Sequence, residues 1–175
     1  TYKGYTLENL IKDLNIDNYY ILKQIHSNKV FDITNIPKNY EGDGLITNKS
    51  NIALVTKSKD CNSIFIIDTK NKILGNIHSG WKGTCQQIVD KAVKELIRKK
   101  VIHPESTKAF FSPSILFDSL EVGMEVIEQI KALPFDVEPF IRYMPNEKAY
   151  LDNQGINIQM LKNNGITNIY PSHMD

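Results

Sequence analysis

The chain has 175 residues, 21 of them basic and 20 acidic, with 41% hydrophobic and 23% charged. These proportions exclude a mainly disordered chain, and the longest apolar runs, such as 64–67, fall far short of the roughly 20 residues a membrane helix needs. A net charge of +1 excludes a general attraction to nucleic acid or anionic membrane, and leaves room for a local anion site.

In chain order, Leu7, Leu10, Ile11 and Leu14 share one face and predict a helix over 6–14. Strands are predicted over 19–25, ending near His26, and over 30–34. A loop with Pro37 and Gly42 follows. Four strands come next, over 44–47, 52–57, 63–68 and 72–78. A turn at 69–72 makes the last two an antiparallel hairpin. Ile88, Val89, Ala92, Val93, Leu96 and Ile97 form one apolar stripe and predict a helix over 85–100. Thr84 is its expected N-cap, with Gln87 completing a capping box. A strand over 108–112 precedes a helix over 120–133, which Pro134 stops. Residues 135–152 read as irregular, with a strand at 149–152. A helix over 155–164 ends at Gly165, and a strand over 167–170 follows. Helices and strands mix without strict alternation, so the expected fold class is a mixed-sheet α/β sandwich rather than a doubly wound sheet. The length fits one domain over 1–175.

Chemistry gathers at strand ends. His26 follows a strand, Asp60 and Cys61 interrupt two apolar strands, and His78 ends another. Two imidazoles and a thiolate are a ligand set for zinc or copper that leaves a fourth position open. Spacing along the chain matches no local metal motif, so convergence depends on the fold. The same atoms support a rival chemistry, with Cys61 as nucleophile and His78 as base. After His78, Gly80 and Gly83 bracket Trp81 and Lys82 ahead of a helix. That loop permits close approach of a ligand, and Lys82 adds charge for an anion. Asp43, between Gly42 and Gly44, reads first as a turn residue leading into a strand. Cys85 reads as packing. Two cysteines are too few for a disulfide framework and point to a reducing cytoplasm.

Taken together, Gln24-Ile25-His26 with Val30, Asp43-Gly44-Leu45-Ile46-Thr47, Asp60-Cys61 and His78-Ser79-Gly80-Trp81-Lys82-Gly83 resemble the YfiH/PgeF family. Its members were once called multicopper polyphenol oxidase or laccase-domain proteins. Glu121-Val122-Gly123 and Leu151-Asp152 continue the likeness in the family's order. The resemblance implies an α/β fold related to the catalytic domain of cytotoxic necrotizing factor. It also implies a metal site at His26, Cys61 and His78, usually holding zinc, with copper as the alternative. It further implies activity on purine nucleosides: adenosine deamination, and phosphorolysis of adenosine, inosine or methylthioadenosine. The expected small-molecule partners are a purine nucleoside and phosphate, with no nucleic acid or membrane, in a cytoplasmic monomer or small homo-oligomer.

On this reading His26, Cys61, His78 and Asp60 are the catalytic candidates. Asp43, Gly80, Trp81 and Lys82 are the candidate substrate contacts. The alternatives are a copper polyphenol oxidase, a Cys61–His78 hydrolase or amidase in peptidoglycan precursor editing, and a non-enzymatic binding module. The sequence departs from the family pattern in three ways. Residues 112–120 lack the family's extra cysteine and glycines, Lys82 replaces an arginine, and the chain stops at Asp175 short of an aromatic and Arg-rich tail. The single domain is therefore expected to lack its extreme termini.

Overall fold

Successive residues of a strand point to opposite faces, so the apolar runs of the central strands give one sheet two buried faces, and this builds the fold. The computed structural model describes residues 6–175. The elements in chain order begin with α1 (Leu7–Asp13), β1 (Asn18–Ile21), β2 (Val30–Asp32), β3 (Gly44–Thr47) and β4 (Ile52–Val55). Next come β5 (Asn62–Asp68), β6 (Ile73–Ser79), α2 (Trp81–Cys85), α3 (Ile88–Arg98), β7 (Thr107–Phe111) and β8 (Glu121–Gly123). The series ends with α4 (Met124–Lys131), β9 (Ile141–Met144), β10 (Lys148–Leu151), α5 (Asn153–Asn163) and β11 (Asn168–Tyr170).

The six-stranded sheet runs β11-β7-β5-β6-β3-β2. Its two outer pairs, β11/β7 and β2/β3, are parallel, and the inner pairs are antiparallel. Ile46, Ile64, Ile66 and Ile77 join Ile88, Val89, Val93, Ile156 and Leu161 of the helices in the main core. On the opposite face Leu45 joins Leu22, Ile33 and Leu54 in a smaller cluster beside the parallel β1/β4 pair. β8, β10 and β9 form a separate antiparallel sheet. The structure is thus a mixed α/β sandwich, as the sequence pattern implies.

Three expectations need correction. The helix expected from residue 85 is broken: α2 ends at Cys85, and Gln87 takes a left-handed conformation (φ 61°) before α3 begins. Thr84 caps nothing, because its hydroxyl is held by Ser79 Oγ and by the amide of Asn157. The helix expected from residue 120 starts as β8, since Glu121, Val122 and Gly123 pair with β10. The stretch read as irregular contains β9, whose consecutive Arg142 and Tyr143 are both exposed, so the strand shows no apolar alternation to read.

A buried carboxylate ties the far end of the sheet. Asp68, fully buried, accepts from the backbone N–H of Asn71 and His103 (both 2.7 Å), from Ser106 Oγ (2.8 Å) and from Thr107 Oγ1 (3.2 Å). Burial alone would raise its pKa, but these donors outweigh it and hold the carboxyl below the usual range. Its stabilisation is therefore present above the unfolded-state value, near pH 4, and is lost as pH falls through the lower folded value. Asp68→Ala is expected to destabilise by about 3 kcal/mol at pH 7, because the backbone N–H groups of Asn71 and His103 lose their acceptor, whereas the Ser106 and Thr107 hydroxyls keep the His103 carbonyl. Asp68→Asn should flatten the acid limb of stability against pH, read by urea melts between pH 2 and 7.

Candidate functional site

The site forms where the ends of three segments meet. Gln24 sets the first against the second: its Oε1 accepts from Lys57 N–H (2.6 Å), and its Nε2 donates to the Lys57 carbonyl (2.8 Å). This side chain mimics a strand partner and brings the His26 loop beside the turn that carries Cys61. Ser58 Oγ donates to the Cys61 carbonyl and tightens that turn. His26 takes a left-handed backbone conformation (φ 56°), and its carbonyl accepts from Gln86 Nε2 (2.9 Å).

Asp43 organises the two histidines. It is 1% exposed, and its carboxylate accepts from His26 N–H (3.0 Å), Ser27 N–H (2.6 Å) and Ser27 Oγ (2.7 Å). The same carboxylate faces His78 Nδ1 at 3.0 Å. One buried acid thus shapes the His26 loop and orients the His78 ring. Because a carboxylate accepts, Nδ1 carries the proton, and Nε2 is the nitrogen free to ligate. His78 is 3% exposed, and burial alone would lower its pKa. Asp43 and Cys61 together outweigh burial and raise it to about 9. Asp43 shows the converse: burial favours the neutral acid, but the bonds from His78, Ser27 and His26 hold it at about 2.

His26, Cys61 and His78 converge, with ligand atoms all within 4.8 Å of one another. The two imidazole rings meet edge to face at 5.0 Å. Gly80 makes room for the cluster, since a Cβ there would lie 2.6 Å from Cys61 Sγ and 3.3 Å from His26 Cδ2. The backbone at Gly80 (φ −77°) suits any residue, so the constraint is space alone. Two nitrogens and a thiolate at this separation, with a carboxylate behind one imidazole, fit a zinc or copper ion. Gly80→Ala is expected to weaken zinc binding about tenfold or more while leaving the fold intact. Chelator competition and a thermal melt check the two halves of that expectation.

The cluster opens on a cleft of about 340 Å³ lined by His26, Asp60, Cys61, Gly80, Trp81, Lys82, Ile115, Leu120 and Asn153. Six of the eight sequence candidates line the cleft, His78 stands buried in the cluster beside it, and Asp43 sits behind the cluster, its oxygens committed to His26, Ser27 and His78 rather than to the cleft. Asp60 is exposed on the wall, and its carbonyl accepts from Ile115 N–H (3.0 Å). Lys82 Nζ lies 5.4 Å from the Trp81 ring centroid. Both cysteines are free, and burial pushes the Cys85 thiol up to about 11, so Cys85 is inert packing.

Sequence reasoning missed Ile115, Leu120 and Asn153. Ile115 and Leu120 lie in the 112–120 segment that departs from the family pattern, and Asn153 follows directly on Leu151-Asp152. Serine and asparagine fasten the missed segment: Ser114 Oγ donates to Asn62 Oδ1 (2.9 Å), and the Asp175 side chain accepts from Leu116 N–H and Ser119 Oγ.

A mixed α/β sandwich with a His–Cys–His cluster at its strand ends defines a class of candidate metalloprotein. The family model for multi-copper polyphenol oxidoreductase laccase matches residues 6–175, and the chain belongs to that family. Among curated relatives, a purine nucleoside phosphorylase of Haemophilus influenzae is 32% identical over 153 residues, covering 85% of this chain and 60% of the relative. Adenosine deaminase RL5, from an unknown prokaryotic organism, is 29% identical over 164 residues, covering 87% and 62%. The chain thus spans about three-fifths of the length of these relatives. The crystal structure of YfiH from Bacillus licheniformis superposes with a TM-score of 0.85 at 25% identity, covering 94% of this chain and 67% of that one. YlmD from Geobacillus stearothermophilus has a TM-score of 0.87 at 22% identity, covering 95% and 67%, and shows the same fold. Among the described residues no helix is long and apolar enough to cross a membrane.

Proposed function

We propose that the chain carries the active site of a metal-dependent purine nucleoside enzyme, acting by deamination of adenosine and phosphorolysis of adenosine, inosine or methylthioadenosine. The observation that carries this reading is the His26–Cys61–His78 cluster opening on a cleft large enough for a small molecule. Relatives named purine nucleoside phosphorylase and adenosine deaminase support the substrate class.

His26, Cys61 and His78 would hold the metal, zinc by donor chemistry and copper as the alternative. When bound, such an ion supplies Lewis acidity and lowers the pKa of water at its open position. The chain's own residues do the rest. Asp43 fixes the His78 tautomer and the His26 loop. Asp60 offers an exposed carboxylate on the cleft wall, placed to take or return a proton at the substrate. Trp81 offers an aromatic face against which a purine stacks, and Lys82 offers a cation for phosphate. Gly80 lets the ligand approach the backbone. The free thiols fit a cytoplasmic setting.

The test is incubation of the full-length, zinc-loaded protein with adenosine, with and without phosphate, and identification of products by mass spectrometry. Inosine, or adenine formed only with phosphate, is the expected result. Absence of both from folded, zinc-loaded protein overturns the reading.

One observation favours a second reading. Asp43, His78 and Cys61 stand in the order of an acid–base–nucleophile triad, with Asp43 on Nδ1 and Cys61 raising the His78 pKa from the other side. A Cys–His hydrolase or amidase would use these atoms without metal. Peptide-amide cleavage by metal-free protein, abolished by iodoacetamide, would establish it.

A further inference from the structure

Asn153, the first residue of α5, lines the cleft yet is only 4% exposed. Its Nδ2 donates to the Ser79 carbonyl at 3.1 Å. A carbonyl only accepts, so the amide cannot be reversed, and the other branch is necessarily the acceptor Oδ1. The backbone around it is pinned. Asn157, one turn on, donates to the Asn153 carbonyl (2.7 Å) and to Thr84 Oγ1 (2.9 Å), and its Oδ1 accepts from Ser79 Oγ (3.0 Å). Among the described residues, Asn153 Oδ1 is the one buried side-chain nitrogen or oxygen without a hydrogen-bond partner.

Buried acceptors are nearly always satisfied, and an orphaned one raises the free energy of the folded protein until something donates to it. The other polar groups of the cleft do not serve the same purpose. His26 and Cys61 belong to the metal cluster, Lys82 only donates, and Asp60 is exposed to water. Among the described side chains that line the cleft, Asn153 therefore carries the one buried oxygen left without a donor.

We propose that Asn153 is a specificity-determining residue whose Oδ1 accepts a hydrogen bond from an N–H or O–H donor of the bound nucleoside. This assignment rests on the nucleoside reading of the cleft. Adenosine carries that chemistry in two places, the exocyclic amine and the ribose hydroxyls. A site built around a buried acceptor rejects the analogue that lacks the donor, because the acceptor is then left unpaired.

The experiment measures dissociation constants by calorimetry on the full-length protein freed of metal, so that turnover does not consume the ligands. The ligands are adenosine, purine riboside, 2′-deoxyadenosine and 3′-deoxyadenosine, and the proteins are wild type, Asn153→Leu and Asn153→Ala. Purine riboside lacks the amine, and the deoxy analogues each lack one hydroxyl. In the wild type one analogue is expected to bind about tenfold more weakly than adenosine. That difference should vanish in Asn153→Leu and in Asn153→Ala, which both lack the acceptor. The analogue that loses affinity tells which donor is read. Because the comparison is between ligands on one protein, a general loss of stability in a variant does not imitate it, and Asn153→Ala carries the test if the leucine variant does not fold. An unchanged pattern in Asn153→Leu, with adenosine bound by the wild type, overturns this assignment alone. Failure of the wild type to bind any nucleoside overturns it together with the nucleoside reading.

Discussion

Cys61→Ser is expected to strip the protein of zinc and of nucleoside turnover together. Removing a carboxylate behind a metal-ligating histidine typically weakens metal binding by about 10–100-fold, and loss of the only thiolate in a three-ligand set exceeds that. Cys61 is half-buried in a turn before β5, and serine preserves that turn, since its anchor is the Cys61 carbonyl rather than the thiol. The variant should therefore fold like the wild type. Metal analysis by mass spectrometry should find zinc at one equivalent in the wild type and near none in the variant, with turnover reduced about a hundredfold or more. The triad alternative gives a different pair of results: activity lost, but present without metal in the wild type.

The second large effect is at Asp43. Asp43→Ala leaves the His26 and Ser27 amides, the Ser27 hydroxyl and His78 Nδ1 without their shared acceptor. Breaking one side of a buried, hydrogen-bonded charge pair destabilises by about 3–5 kcal/mol. In a chain of this size that lowers the melting temperature by roughly 10 °C or more. The damage should reach the metal site as well, because the left-handed turn at His26 and the His78 ring both lose their support. Asp43→Asn keeps the shape and one acceptor oxygen, but its amide nitrogen must face the N–H of His26 or of Ser27, so it should melt between wild type and Asp43→Ala and bind zinc about tenfold more weakly. Equal melting temperatures for wild type and Asp43→Ala would contradict this ordering.

The sequence makes much of this architecture readable because local signals and tertiary demands agree there. Gly44–Thr47 and the β5–β6 hairpin follow from short apolar runs and a polar turn, and the sheet, covered on both faces, satisfies both. The helix expected over 6–14 is present as α1, with Thr6 as its N-cap rather than its first residue. The reading fails where a side chain is claimed by a distant partner. Thr84 has the local pattern of a cap, but Asn157 and Ser79 take its hydroxyl, and the helix breaks at Gln87 instead. Asp43 has the local pattern of a turn, and only the fold reveals that His26 and His78 close around it. The metal cluster lies between these cases. Its three residue types are legible as ligands, yet their convergence depends on Gln24 holding two loops together across the sheet end. Asn153 carried no signal at all, since an asparagine opening a helix is ordinary until its neighbours are known.

The most direct test of the central claim, that one site holds both the metal and the nucleoside, is a crystal structure of the full-length protein grown with zinc and adenosine. The expected map shows a zinc anomalous peak bonded to His26 Nε2 or Nδ1, Cys61 Sγ and His78 Nε2, with a purine in the cleft between Trp81 and Asn153. Zinc bound elsewhere, or a nucleoside bound away from this cleft, would contradict it.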